Sequence, residues 1–221
     1  YIFKSSWKKA NRTRGDSFIG IEPDEAMRIL TKVKETYKVP VITDVHETQD
    51  VKFVEPFVDY LQIPAFLCRQ TDLVVEAAKS KPTNIKKGQF LSPQNMKHIL
   101  EKATSVTSNE IFICERGSSF GYDNLVVDFS GIPLMKTFGV PVILDGTHCL
   151  QKQTSAGITG GQRAMIPYMC RAGVAVGVDG LFLEVHSDIP NAQSDKESQL
   201  EVNSFEEVIE QCLNIRALLE T

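Results

Sequence analysis

Short apolar runs alternate along the chain with longer stretches in which apolar residues recur every three or four positions. The short runs are 1–4, 39–45, 58–63, 83–86, 111–115, 140–145 and 180–185. They are rich in Val, Ile, Leu and Phe and scarcely alternate with polar residues, which predicts parallel strands buried on both faces. Helices are predicted between them from their end signals. Pro23 suits a first turn and is followed by Asp24 and Glu25 at the positive end of the helix dipole, with Ile29, Leu30 and Val33 as the apolar stripe. Ser92 followed by Pro93 is a cap and first turn leading into Met96, Ile99 and Leu100. Residues 204–207, Ser-Phe-Glu-Glu, fit a capping box ahead of Val208, Ile209, Cys212, Leu213 and Ile215.

No linker, low-complexity tract or short repeat interrupts this order, so 1–221 is expected to form a single domain. The repeat is architectural: strand, loop, helix. Such alternation means an open doubly wound sheet or a closed (β/α)8 TIM barrel. Neither GxGxxG nor GxxxxGK[ST] follows the first strands, so the α/β TIM barrel is the predicted fold. A barrel needs eight strands and the pattern supplies seven, and the expectation is that a first strand–helix unit is lacking before Tyr1.

Composition changes little in this picture. Hydrophobic residues make up 42% and charged residues 24% of the 221 positions, ordinary values for a soluble globular protein. No apolar run approaches the ~20 residues that span a bilayer, and no secretory signal opens the chain, so no membrane partner is expected. Cys68, Cys114, Cys149, Cys170 and Cys212 are scattered and form no CxxC pair, which predicts reduced packing thiols in the cytoplasm. A net charge of −4 argues against nucleic acid as partner.

Chemistry is concentrated where the predicted strands finish, the rim at which barrels of this kind carry their sites. Those positions hold Lys4; Asp44 and His46; Gln62; Lys86; Glu115 and Arg116; Asp145 and His148; Glu184 and His186. Each alone has a structural explanation, as a cap or a solvated loop end. Together they predict one site, because converging ionisable groups repel or must be desolvated. The cations among them, with Lys8, Lys9, Arg12, Arg14, Arg69 and Lys87, predict an anionic ligand such as phosphate or carboxylate. Lys8, Arg14 and Lys87 read at least as well as solvated loop residues. Gly117, Gly121, Gly160 and Gly161 allow backbone N–H groups close to oxyanions. His148, Glu184 and Asp195 suit a divalent cation (Zn2+, Fe2+ or Mn2+) or, equally, general acid–base work. His46 and His186 are expected in supporting roles, His98 on an exposed helix face, and Asp188 in a loop. Residues 152–161 read as a loop.

Seven ordered stretches then resemble a known family: "FKSSWKKANR" (3–12), "ITDVHE" (42–47), "LQIPAFLCRQTDL" (61–73), "NIKKGQF" (84–90), "ERGSSFGYDNLVVDF" (115–129), "DGTHCLQ" (145–151) and "GLFLEVHSD" (180–188). They are similar to 3-deoxy-D-manno-octulosonate 8-phosphate synthases of the class I DAHP synthetase-like superfamily. The resemblance implies a (β/α)8 barrel, assembled as a homotetramer with shared active sites. It also implies condensation of phosphoenolpyruvate with arabinose 5-phosphate, with release of phosphate. By resemblance, Lys4, Ser6, Lys9, Gln62, Lys86, Arg116 and His148 form the phosphoenolpyruvate site, Gln89 adds to substrate binding, and Asn11, Arg12, Thr13 and Asp44 face the pentose phosphate. Lys9, Asn11, Arg116, His148 and Asp195 carry the catalytic roles. His148, Glu184 and Asp195 match the ligands of the metal-dependent branch, and no organic cofactor is implied. Residues 64–66 are placed near a subunit contact. The position that separates the metal-dependent from the metal-independent branch precedes Tyr1; Ser194, Asp195 and Gln199 lean toward the former. The rival readings are a sister synthase using erythrose 4-phosphate, disfavoured by Lys9, Asn11 and Arg12 in "KANR", and an inactive sugar-phosphate-binding barrel.

Overall fold

A computed structural model of the chain describes residues 1–10, 15, 18–122, 124–153, 159–193 and 196–220. The chain divides into two compact units, residues 1–88 with 97–112 and residues 89–96 with 113–221.

In the first unit, strands and helices alternate as β1 (Phe3–Lys4), α1 (Pro23–Tyr37), β2 (Val41–Asp44), α2 (Thr48–Val54), β3 (Tyr60–Ile63), α3 (Thr71–Ser80), β4 (Thr83–Lys86) and α4 (Met96–Thr104). The strands pair in chain order and all in parallel. Every residue of β2 and β4 is buried, the polar Thr43, Asp44, Thr83, Asn84 and Lys86 included. Register fixes the site: Asp44 lies opposite Gln62, and Gln62 opposite Asn84.

The second unit contains β5 (Ile111–Glu115) from Ile113 onward, then β6 (Ser118–Phe120), β7 (Asn124–Val126), α5 (Gly131–Lys136), β8 (Val142–Asp145), β9 (Gln151–Gln153), β10 (Thr159–Gly161), α6 (Ile166–Val176), β11 (Gly180–Phe182) and α7 (Val202–Leu219). Here β5 pairs in parallel with β8, and β8 with β11. Two small antiparallel pairs, β6 with β7 and β9 with β10, stand outside the parallel order. The fold is α/β and TIM-barrel-like, one strand–helix unit short of eight, as predicted.

Both units use one device at their strand starts. Asp59, just before β3, accepts the Val41 N–H at 2.9 Å and the Lys34 ammonium of α1 at 2.6 Å. Asp179, just before β11, accepts the Val142 N–H at 2.8 Å and the Lys136 ammonium of α5 at 2.8 Å. Each carboxylate satisfies the first N–H of the neighbouring strand and ties that strand to the preceding helix. Close packing follows at α6. A Cβ on Gly173 would stand 2.4 Å from Leu144 Cδ2, so the helix approaches β8 at the one residue type that leaves room.

The differences from the sequence pattern have local causes. The runs 39–45 and 140–145 begin as strands only at Val41 and Val142, because Pro40 and Pro141 have no N–H. Their carbonyls still extend the ladders, accepting from Phe3 and Ile113 at 2.9 and 3.0 Å. The last helix starts at Val202 with Glu201 as its cap, so the expected capping box at 204–207 falls inside its first turns. Val208 and Cys212 of its apolar face are buried, but Leu213 is exposed. On α1, Leu30 is buried and Ile29 exposed. The expected burial of β11 is corrected as well: Leu181 and Phe182 are half-buried, as suits a strand paired with β8 alone among the described residues. The predicted loop 152–161 begins and ends as β9 and β10; residues 154–158 lie outside the described residues. Among the described residues no helix is long and apolar enough to cross a membrane.

Candidate active site

In the first unit, the ends of β1 and β2 meet through charge. Lys4 Nζ donates to Ser6 Oγ at 2.6 Å and lies 3.6 Å from Asp44 Oδ1. On the far side of the carboxylate, His46 Nε2 is 3.3 Å from Asp44 Oδ2. Burial acts to raise the Asp44 carboxyl, but the Lys4 charge, the His46 hydrogen bond and the Lys9 charge outweigh it. The group is therefore held well below the usual carboxylate range and stays ionised. Trp7 Nε1 donates to the Asp44 carbonyl at 3.0 Å, fastening the strand end itself.

Beside this cluster, Asn84 Nδ2 donates to Gln62 Oε1 at 3.2 Å, and both side chains are buried. Lys86 is buried at the end of β4. Lys4, Ser6, Lys9, Asp44 and Gln62 thus occupy one neighbourhood, and it presents cations and amide donors suited to an oxyanion. Two sequence readings are corrected here. Lys87 is 1% exposed and cannot be a solvated loop residue. Lys8 is one half of an ion pair with the buried Asp50 carboxylate, Nζ to Oδ1 at 2.8 Å. Asn11, Arg12, Thr13 and Arg14 lie outside the described residues.

The second unit holds the other predicted set. After β8 the chain turns tightly, and Asp145 Oδ1 accepts the backbone N–H groups of Thr147 and His148 at 3.2 and 2.8 Å. The same carboxylate is 2.8 Å from His148 Nδ1 through Oδ2. Asp145 is fully buried and orients the imidazole through Nδ1, turning Nε2 away from the strand end. That Nε2 faces Glu184 Oε1 at 3.3 Å. Glu184 stands two residues past β11 and is held there by the Thr147 hydroxyl, which accepts its N–H at 2.9 Å. The ring of His148 packs against Phe182, centroids 5.7 Å apart.

Arg116, at the end of β5, donates from Nη2 to Gln151 Oε1 at 2.9 Å and to the His148 carbonyl at 3.5 Å. Arg116, His148 and Glu184 are therefore brought together. Gln89 lies near the first hairpin, its carbonyl accepting from Ser119 at 2.9 Å.

For a divalent cation, the donor chemistry fits. An imidazole whose Nδ1–H is fixed by a buried carboxylate, and whose Nε2 looks at a second carboxylate, is a typical metal-binding pair with its outer-sphere support. Asp195, the third expected ligand, lies outside the described residues, and among the described residues no group of three His, Cys, Asp or Glu side chains forms a metal site. Gly117 and Gly121, at φ 86° and 78°, shape the turns of the β6 and β7 hairpin. At Gly161 a Cβ would meet the Glu197 carbonyl at 2.8 Å, so this glycine admits the 197–198 backbone. His186 Nδ1 accepts the Asp188 N–H at 2.9 Å, a structural role, and His98 is exposed. All five cysteines are buried and unpaired with one another. Burial pushes the Cys149 thiol far up and the Cys170 thiol up to about 12, so neither serves as a nucleophile.

Sequence reasoning missed three supporting groups: Asp50, Gln151 and Asn84. Asp50 had a signal, since an acidic residue at 47 and another at 50 is a capping pattern, and its carboxylate accepts the His46 and Glu47 N–H groups at 2.9 and 3.1 Å. Gln151 and Asn84 had none, because each acts through a partner distant in the chain.

Fold and site together define an α/β protein of parallel strand–helix units whose strand ends hold cations beside buried carboxylates. The chain belongs to the DAHP synthetase I family, which it matches over residues 1–221. It is 47% identical over 223 aligned residues to the 2-dehydro-3-deoxyphosphooctonate aldolase of Dichelobacter nodosus, covering 100% of this chain and 80% of the relative. To the protein of the same name from Francisella tularensis subsp. holarctica it is 50% identical over 197 residues, 88% of this chain and 72% of the relative. To that of Acidithiobacillus ferrooxidans it is 49% identical over 211 residues, 95% and 75% respectively.

The Asp44 cluster makes a testable statement about acid stability. Because the folded carboxyl titrates below its unfolded value of about 3.9, its contribution is complete above that pH and is lost as pH falls through the depressed folded value. Asp44→Asn should therefore flatten the acid limb of a stability profile below about pH 4. Urea midpoints measured between pH 3 and 7 check this, and parallel profiles for the two proteins would count against it.

Proposed function

We propose that the protein condenses phosphoenolpyruvate with arabinose 5-phosphate and water, forming 3-deoxy-D-manno-octulosonate 8-phosphate and inorganic phosphate for the acidic sugar of lipopolysaccharide. The observation that carries this reading is the 47% identity spanning the whole chain to a relative named for this product. The strand-end cations of each unit support it, since both substrates are anions.

In the reaction, C3 of phosphoenolpyruvate attacks the pentose aldehyde carbon, and the aldehyde oxygen takes up a proton. Water adds at C2 and gives up a proton. The resulting hemiketal phosphate collapses: its C2 hydroxyl gives up a proton and becomes the ketone carbonyl as the bond between C2 and the phosphate oxygen breaks, and the phosphate leaves with a proton in exchange. Lys4, Ser6, Lys9, Gln62, Lys86, Arg116 and His148 bind phosphoenolpyruvate in this reading, with Gln89 adding to substrate binding. Asn11, Arg12, Thr13 and Asp44 take the pentose phosphate. Arg116 has five N–H donors in a rigid fork, and its anchoring through Nη2 to Gln151 aims that fork before substrate arrives. Lys4 is similarly aimed by Ser6 and Asp44. Such pre-set charge lowers the barrier because no reorganisation is needed as charge moves. A divalent cation (Zn2+, Fe2+ or Mn2+) would be held by His148, Glu184 and Asp195. When bound it supplies Lewis-acid polarisation.

Assembly as a homotetramer is part of the proposal, with Phe66, 54% exposed, near a subunit contact. Sedimentation of the full chain should report four copies; a monomer at micromolar concentration would remove this element.

Phosphate release should be faster with arabinose 5-phosphate than with erythrose 4-phosphate, and the reverse preference overturns the assignment. In the same assay Arg116→Ala should lower kcat/KM for phosphoenolpyruvate by a factor corresponding to at least ~2 kcal/mol, because a charge-assisted contact is lost. Chelation should abolish turnover and Zn2+, Mn2+ or Fe2+ should restore it. Undiminished activity in excess chelator would eliminate the metal.

A further inference from the structure

One ion pair in the first unit, between a part-exposed lysine and a buried carboxylate, is not used by the proposed chemistry. Lys8 Nζ lies 2.8 Å from Asp50 Oδ1, and the Asp50 side chain is 5% exposed. The other oxygen, Oδ2, accepts the His46 and Glu47 N–H groups at 2.9 and 3.1 Å and stands 3.6 Å from His46 Nδ1. Asp50 also belongs to the capping box that starts α2. A single carboxylate therefore joins three things: the helix start, the end of β2 with its imidazole, and the ammonium of the segment that follows β1.

That segment, residues 4–9, carries three predicted ligands in close order. Lys4 and Ser6 are bonded to each other, Trp7 is bonded to the Asp44 carbonyl, and Lys9 N donates to the Ile19 carbonyl at 2.6 Å. Lys8 forms an antiparallel bridge with Gly20, and its ammonium stands 4.8 Å from the Trp7 ring centroid. Two side chains of this segment reach α2: Trp7 packs on Phe53, ring centroids 5.2 Å apart, and Lys8 pairs with Asp50. The aromatic contact has little directionality, whereas the ion pair fixes one lysine of a cation-rich segment on a single carboxylate.

We propose that the ion pair of Lys8 with Asp50 is a positioning device, holding residues 4–9 against α2 so that Lys4, Ser6 and Lys9 present their donors to an anionic substrate. Lys8 and Asp50 do not touch the substrate; they act through the residues beside them. The inference rests on the phosphoenolpyruvate reading of this cluster. It explains why a lysine in a cation-rich segment turns inward to a buried carboxylate.

Lys8→Met removes the ammonium and keeps the stem over Trp7, Asp50→Asn keeps an oxygen for the two N–H groups, and Lys8→Arg restores a cation. The KM for phosphoenolpyruvate should rise at least tenfold in Lys8→Met and Asp50→Asn while kcat changes less than threefold. Lys8→Arg should stay within threefold of the parent on both. An active parent with an unchanged KM in Lys8→Met overturns the device and leaves the functional reading standing. An inactive parent overturns the reading, and the device is then judged without turnover. Trp7 is the only tryptophan in the chain, so its fluorescence reports this segment alone. Inorganic phosphate should perturb Trp7 emission in the parent and require at least tenfold higher concentration in Lys8→Met. Equal titrations in the two proteins, or no response in the parent, refute the proposal.

Discussion

In-register parallel pairing is the constraint from which the site follows. Because β2, β3 and β4 run the same way and are buried on both faces, polar side chains gather at their finishing ends, and register decides which of them become neighbours. Asp44, Gln62 and Asn84 come into one row for that reason alone. A slip of one residue in β3 would turn Gln62 to the other face and bring Leu61 or Ile63 to the site. Such slips are resisted at the opposite ends of the strands, where Asp59 and Asp179 each tie a first strand N–H to a helix lysine.

Burying ionised groups at the strand ends is costly unless each is paired. Both units meet this in the same way, with a carboxylate at the strand end and an imidazole a few residues on. Asp44 is flanked by His46 and Lys4, while Asp145 is bonded to His148 and to two backbone N–H groups. The pairings differ in consequence. Asp44 balances cations and keeps them in place, whereas Asp145 fixes which nitrogen of His148 looks outward. The first arrangement suits anion binding and the second suits metal binding or proton handling.

Much of the candidate site was legible because it is local. Lys4 with Ser6, Asp44 with His46, and Asp145 with His148 sit within a few residues of one another, at the ends of runs that periodicity identifies as strands. The supporting groups were not legible. Asp50 reaches Lys8 across 42 positions, Gln151 reaches Arg116 across 35, and Asn84 reaches Gln62 across 22. No spacing rule links such pairs, so the chain pattern leaves Lys8 and Lys87 at least as well read as solvated loop residues, where one is ion-paired and the other buried.

The sequence by itself determined the class of fold, the order of its strands and helices, and the residue types at the strand ends, because these depend on local periodicity and on proline, glycine and capping chemistry. Tertiary structure alone decided which strand-end groups meet, which cations are held by carboxylates, and which nitrogen of His148 faces Glu184. Those outcomes depend on register and on contacts between residues far apart in the chain, where the energy is the balance between the cost of desolvating charges and the gain of pairing them, a quantity no linear pattern records.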